Sequence, residues 1–144
     1  MNILNRKAHF NYTIIEEVEA GIVLVGSEVK SIRDGKATIN EAFVIEKDGE
    51  LFLSNSHVSE YKGANRFNHE PNRLRKLLLH RKQVRRIIGQ ITKESFTAVP
   101  LKLFFNKKNF LKVLIGVGKG KKLYDKRETI KKRDDARRAA RGED

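Results

Sequence analysis

The chain has 144 residues, with 31 Lys and Arg against 18 Asp and Glu, a net charge of +13 and a pI near 10.1. It contains no cysteine, which excludes a disulfide framework, a cysteine nucleophile and thiolate zinc sites. No apolar run approaches the roughly 20 residues that span a bilayer, and the first ten residues lack an apolar signal core, so a cytoplasmic protein is expected. The positive excess is spread along the chain. Residues 119–144 carry 11 basic and 6 acidic side chains, and residues 1–118 carry 20 and 12. A body and a tail that are both basic form the electrostatic footprint of a nucleic-acid binder. The plain alternative is a soluble protein that merely happens to be basic.

Taken in order, the elements read as a small β-rich body. Tyr12 to Val18 reads as a strand, Gly21 as its break, and Ile22 to Val25 as a second apolar strand. Ser27 is a suitable N-cap for a short helix over 27–34, and Gly35 a suitable stop. Val29 and Ile32, three apart, would face the core. Phe43–Lys47 and Glu50–Ser54 flank Asp48-Gly49, which tolerates positive φ and so predicts a two-residue hairpin.

A longer helix is expected from Pro71 through Ile88. Leu74, Leu77, Val84 and Ile88 would form its apolar stripe. Leu79 would lie on the opposite face with Arg75, Lys82 and Arg86. From Arg73 to Arg86 there are seven Lys or Arg and no acid, which reads as a phosphate-contacting surface or as a solvated charged face. A second hairpin comes next, 96–105 with 110–117 around a polar turn at 106–109. Val99, Leu101, Leu103 and Phe105 alternate on one arm, as do Leu111, Val113, Ile115 and Val117 on the other. Pro100 marks an edge or a bulge.

About six strands in hairpins with few helices predict a mainly β, six-stranded antiparallel barrel related to the oligonucleotide-binding fold, with two or three packed helices. The domain reading is a body over 1–123 and a basic tail over 124–144. After Leu123 and Tyr124 the tail has one large aliphatic residue, Ile130, so packing cannot offset its ordering entropy and it is expected to be mobile alone. Glu128 with Lys132, and Asp134 with Arg138, have the acid-first i,i+4 order, worth about 0.2–0.5 kcal/mol each on a helix. That is too little to hold a short helix in water, so helix is expected only on a polyanionic partner, with RNA as the fitting class.

Catalytic chemistry lacks its parts. His9, His57, His69 and His80 are scattered without a metal-ligand spacing. The Gly-Lys pairs at 35–36, 118–119 and 120–121 are never followed by Ser or Thr, so a Walker-type phosphate loop has no magnesium ligand. A non-enzyme without metal or cofactor is expected. A membrane-surface tail would need an apolar face that Ile130 and three alanines do not supply.

Several segments together resemble the SsrA-binding protein family, also called small protein B. They are Asn5-Arg6-Lys7-Ala8 with Tyr12, Val18-Glu19-Ala20-Gly21, residues 26–33, Arg75-Lys76-Leu77-Leu78-Leu79, and residues 115–122 followed by Asp125-Lys126-Arg127. The resemblance implies a barrel that binds the tRNA-like domain of transfer-messenger RNA (tmRNA). It implies a disordered basic tail that enters the decoding centre and vacant messenger channel of a stalled ribosome during trans-translation. It also implies delivery together with elongation factor Tu and action without a cofactor, and a monomer is expected. A general RNA-binding or ribosome-associated protein without tmRNA specificity is the alternative.

Site residues are assigned from matching positions. Asn5, Arg6, Lys7, Tyr12, Glu19, Arg75, Lys76, Leu78, His80, Lys119, Gly120, Lys121 and Lys122 are expected at RNA. Tyr124, Asp125, Lys126, Arg127, Lys131, Lys132 and Arg133 are expected at the ribosome. A carboxylate repels phosphate, so Glu19 would accept a hydrogen bond from a base edge or ribose hydroxyl, or orient a neighbouring cation. Gly118 and Gly120 would let the adjacent lysines approach phosphates, or form a plain hinge. His80 stands where the family usually has Asn, Tyr124 where many relatives have His, and Phe10 where relatives often have His.

Overall fold

A computed structural model describes residues 2–63, 68–121, 127 and 130–133. In chain order the elements are β1 (Asn2–Leu4), α1 (Ala8–Asn11), β2 (Tyr12–Ile22), α2 (Gly26–Arg33), β3 (Ala37–Thr38), β4 (Phe43–Lys47), β5 (Glu50–Ser54), β6 (His57–Val58), β7 (Arg75–Leu78), α3 (Arg81–Thr92), β8 (Thr97–Phe105) and β9 (Leu111–Gly120). Seven strands form one antiparallel sheet in the order β1-β8-β9-β2-β7-β5-β4, and β3 pairs with β6. The far strand β4 curls back beside β8, giving the mainly β, barrel-like body expected. Ala20, Ile32, Ile39, Leu51, Leu53, Leu77, Ile87, Val113, Ile115 and Val117 fill its interior.

Both hairpins lie where turn chemistry and alternation put them. Asp48 and Gly49 have φ of 54° and 77°, the two positive values that a two-residue hairpin turn uses. The β8–β9 register shifts between Pro100 and Lys102. This bulge changes which side chains share a face. Leu103 enters the main core, but Val99 and Leu101 turn to a second cluster with Ala8, Tyr12 and Leu114. The single apolar face expected for β8 is therefore split, because an extra residue reverses the pleat.

Two boundaries differ from the sequence reading. Gly21 does not break a strand; β2 runs through it, with Gly21 opposite both Lys112 and Leu78. The cap of α2 is Val25, whose amide donates to Glu28 Oε1 at 2.8 Å. Ser27 instead hydrogen-bonds His69 Nδ1 at 2.8 Å. His69 Nε2 faces the Val58 carbonyl at 2.8 Å, which can only accept, so in the neutral ring Nδ1 accepts from Ser27. Gly35, at φ 73°, does end the helix.

The largest correction concerns 71–88. This segment is not one helix. Residues 75–78 form β7, wedged between β2 and β5, and α3 begins only at Arg81. Burial alternates along β7: Arg75 and Leu77 are buried, while Lys76 and Leu78 are more exposed. Leu79 also packs against the core. The local sequence favours helix, but β7 supplies the ladder that joins two halves of the sheet, and that tertiary gain overrides propensity.

Arg75 is 1% exposed and Glu28 is fully buried. Arg75 Nε donates to Glu28 Oε2, its Nη1 to the Ser56 hydroxyl at 3.0 Å, and its Nη2 to the Pro71 carbonyl at 3.0 Å. Arg73 Nη2 donates to Glu28 Oε1 at 2.6 Å and to the Val23 carbonyl at 3.1 Å. Burial pushes the Glu28 carboxyl up, but hydrogen bonds from Arg73, the Val25 amide and Arg75 outweigh it and hold the group below its ordinary range. Burial pushes Arg75 down, against the pull of Glu28.

In the tail, Arg127 and residues 130–133 have helical backbone and exposed side chains. Arg133 lies over the Phe10 ring, 5.2 Å from its centroid. Lys122, Tyr124, Asp125, Lys126, Glu128, Asp134 and Arg138, together with the 123/124 boundary, lie outside the described residues.

Removing one partner of a buried ion pair strands the other, at about 3–5 kcal/mol. Arg75→Ala should therefore lower the thermal midpoint sharply, whereas Lys76→Ala, on an exposed pair with Glu50, should cost at most about 1 kcal/mol. Because folding lowers the Glu28 pKa, its contribution is complete above the unfolded carboxylate value of about 4.3 and disappears as pH falls through the folded value. Urea midpoints measured from pH 7 to pH 3 should show a flatter acid limb in Glu28→Gln than in the wild type.

Candidate nucleic-acid interface

Three elements bring the first group of expected residues together. Glu19 is exposed on β2, Leu78 ends β7, and His80 is the N-cap of α3. With Gly21, Gln83 and Lys112 they line one groove. The junction is locally specified. His80 is extended, at φ −63° and ψ 147°, and its amide donates to Gln83 Oε1 at 3.2 Å, so a Gln at the third helical position fixes where α3 starts. Gly21 lets β7 come close: a Cβ there would meet the Leu78 Cβ at 3.2 Å. The groove thus combines an acid, an imidazole, a carboxamide, a cation and an exposed leucine. These can donate and accept at base and ribose edges and pack against an apolar face.

Lys76 points to the same outer side of β7 as Leu78, two residues on, and is paired with Glu50 at 3.1 Å. The outer side of α3 exposes Arg81, Lys82, Arg85 and Arg86. No acid lies on that helix, and Arg86 alone of the four pairs with a described carboxylate, Glu16, at 3.1 Å. The basic surface read from 73–86 therefore exists, but it comes from α3 and the outer side of β7. Arg75 is not part of it, since its guanidinium is enclosed by Glu28, Ser56 and Pro71.

The second group lies at the other end of β2. Tyr12 sits opposite Gly120, and Thr13 opposite Lys119. Seven residues of strand separate Tyr12 from Glu19, about 20 Å. Arg6 and Lys7 are exposed here. The Arg6 amide donates to Asn40 Oδ1 at 2.9 Å, and Lys7 pairs with Glu41. Lys119 stands 5.1 Å from the centroid of Phe96. Asn5 is buried, donating through Nδ2 to the Pro100 carbonyl at 2.8 Å and accepting from the Lys7 amide at 3.1 Å. Its side chain is spent at the β8 bulge.

The glycines near these lysines have two different roles. At Gly118 a Cβ would lie 2.0 Å from the Thr13 carbonyl oxygen, whereas at Gly120 it would meet nothing within 4 Å. Gly118 thus serves the close approach of β2 to β9 and is no free hinge. Lys121 donates its amide to the Asn11 carbonyl and its Nζ to the His9 carbonyl, both at 2.8 Å. Lys112 was missed by sequence reasoning. Its signal is a cation alternating with Leu111 and Val113, which places it on the outer face of a strand.

Among the described residues no His, Cys, Asp and Glu cluster could hold a metal, and no helix is long and apolar enough to cross a membrane.

The family model described as SmpB protein matches residues 2–143. The chain is 57% identical over 137 residues to the SsrA-binding protein of Nitrobacter winogradskyi, covering 95% of this chain and 87% of that protein. It is 57% identical over 130 residues to the SsrA-binding protein of a Wolbachia species, covering 90% and 87%. It is also similar to a solved structure of tmRNA-SmpB at the center of the bacterial ribosome, with a TM-score of 0.70, 43% identity and 85% coverage of each chain.

Gly118→Ala should disrupt β2–β9 pairing and lower the thermal midpoint by many degrees, while Gly120→Ala should leave it unchanged; circular dichroism melts of both variants check this. Equal midpoints would remove the sheet-packing role given to Gly118.

Proposed function

This chain belongs to the SmpB protein family, and we propose that it binds tmRNA and carries it into ribosome rescue by trans-translation. The observation that carries the site reading is the convergence of Glu19, Leu78 and His80, from three separate elements, on one groove with Lys112. The groove reads the folded RNA through base and ribose edges. Arg6, Lys7, Lys119 and Lys121, with the exposed cations of α3, hold its phosphates and set orientation. His80 replaces the usual carboxamide with a ring that donates, accepts or stacks, and neighbouring Gln83 keeps a carboxamide in the groove.

The division of labour tracks the charge. The body over 1–123 grips the tRNA-like domain as a monomer in the cytoplasm. The tail over 124–144 takes up the decoding centre and vacant messenger channel, with Tyr124, Asp125, Lys126, Arg127, Lys131, Lys132 and Arg133 at ribosomal RNA. Elongation factor Tu joins the complex during delivery. The protein acts by binding and positioning, not by catalysis.

Glu19→Gln should weaken binding to the transcribed tRNA-like domain by tenfold or more, as expected for losing a hydrogen bond to a charged group, about 1.5–3 kcal/mol. Ending the chain after Leu123 should keep most of that affinity while abolishing peptide tagging in a reconstituted translation reaction. Equal loss of both in the truncation would remove the division of labour. Affinity should fall as salt rises, with a log–log slope of several released counterions. Equal affinity for an unrelated structured RNA would return the general RNA-binder reading.

A further inference from the structure

An apolar slot lies beside the Glu19 groove. Partly buried Ile22 and Phe105 and exposed Leu78 and Phe110 line it, together with two cations, Arg33 and Lys112. Phe110 is 62% exposed and Leu78 51%. A single exposed apolar side chain is ordinary, but here two share one concavity.

The turn that carries Phe110 is built to hold it. Asn106 Oδ1 accepts from the Lys108 amide at 3.0 Å and from the Phe110 amide at 2.9 Å. The Asn106 amide donates to the Phe110 carbonyl, and the Asn109 amide to the Asn106 carbonyl, each at 2.9 Å. Asn109 takes the left-handed conformation that closes the loop, at φ 64°. The backbone beneath the ring is therefore fixed, and most of the residue stands in water.

We propose that this slot receives one unstacked nucleobase of the bound RNA, laid against the Phe110 ring, with the adjoining phosphate neutralised by Lys112 and Arg33. The inference rests on the RNA-binding reading and extends it to a specific contact. An exposed aromatic ring stacks with any base, since every base has a π-face. Leu78 supplies an apolar wall. Arg33 lies on the Phe105 ring, 5.2 Å from its centroid, and neither Arg33 nor Lys112 forms an ion pair with a described carboxylate. That leaves both cations available to a phosphate. The slot is also continuous with the first groove, because Gly21, Leu78 and Lys112 line both. A strand of RNA whose ribose or base edge meets Glu19 can place its next unpaired base here.

The chain contains no tryptophan, so Phe110→Trp installs a single, selectively excited indole at the site. In the full chain, its emission should be quenched as the transcribed tRNA-like domain of tmRNA saturates the protein. Phe110→Ala should weaken binding about tenfold to a hundredfold without changing the salt slope, whereas Lys112→Ala should lower the slope by about one. Unchanged tryptophan emission at saturating RNA, or wild-type affinity in Phe110→Ala, overturns the stacking site while leaving the parent reading intact, provided Glu19→Gln still loses affinity. Failure of the wild-type chain to bind this RNA overturns both.

Discussion

The structure depends on a buried carboxylate held between two guanidinium groups. Glu28 belongs to α2, Arg73 and Arg75 to β7 and the segment entering it, and the remaining donors of Arg75 reach Ser56 and Pro71. Three stretches far apart in sequence, around Glu28, Ser56 and 71–75, are thus tied at one point. Desolvating such charges costs several kcal/mol per ion, so the cluster persists only because nearly every donor finds an acceptor. Its structural product is the register of β7. With Arg75 locked inward, the pleat turns Lys76 and Leu78 outward, and His80 then falls at the start of α3. The geometry of the Glu19 groove is in this sense set from beneath, by a buried ion cluster.

β2 distributes the consequences. It pairs with β9 along most of its length and with β7 at its end, so it carries Glu19 to one groove and Tyr12 to the other patch. Because the two sites share a strand, their spacing is rigid. A folded RNA that engages both must present complementary features about 20 Å apart, which is a constraint of shape and not of sequence. Electrostatics supplies attraction over the whole basic surface; the strand supplies the measure.

Much of this was legible in the residues, and the failures have physical causes. Asp48-Gly49 fixed its hairpin because few residue pairs accept two positive φ values. The alternation of Val113, Ile115 and Val117 fixed β9 because a half-buried strand requires period two. The same reasoning failed at Arg75–Leu78, where every residue is a good helix former and the inward-facing member is a charged arginine. Hydrophobic patterning cannot recognise a strand whose buried side chain is polar. It failed again at Val99 and Leu101, since a bulge reverses the pleat without any change in composition. Asn5 and Arg75 were read as RNA-facing and are buried in the scaffold, Gly118 was read as freeing its lysine neighbour or as a hinge and instead lets β2 approach β9, while Lys112, read as nothing, stands in the groove.

The amino-acid sequence by itself determined the charge, the absence of thiol chemistry, the two hairpins and the family, because these depend on composition, on local turn geometry and on motifs a few residues long. Only the tertiary structure decided which cations face outward. A guanidinium on the chain is identical whether it meets phosphate or Glu28, and the choice is made by what lies across the sheet from it.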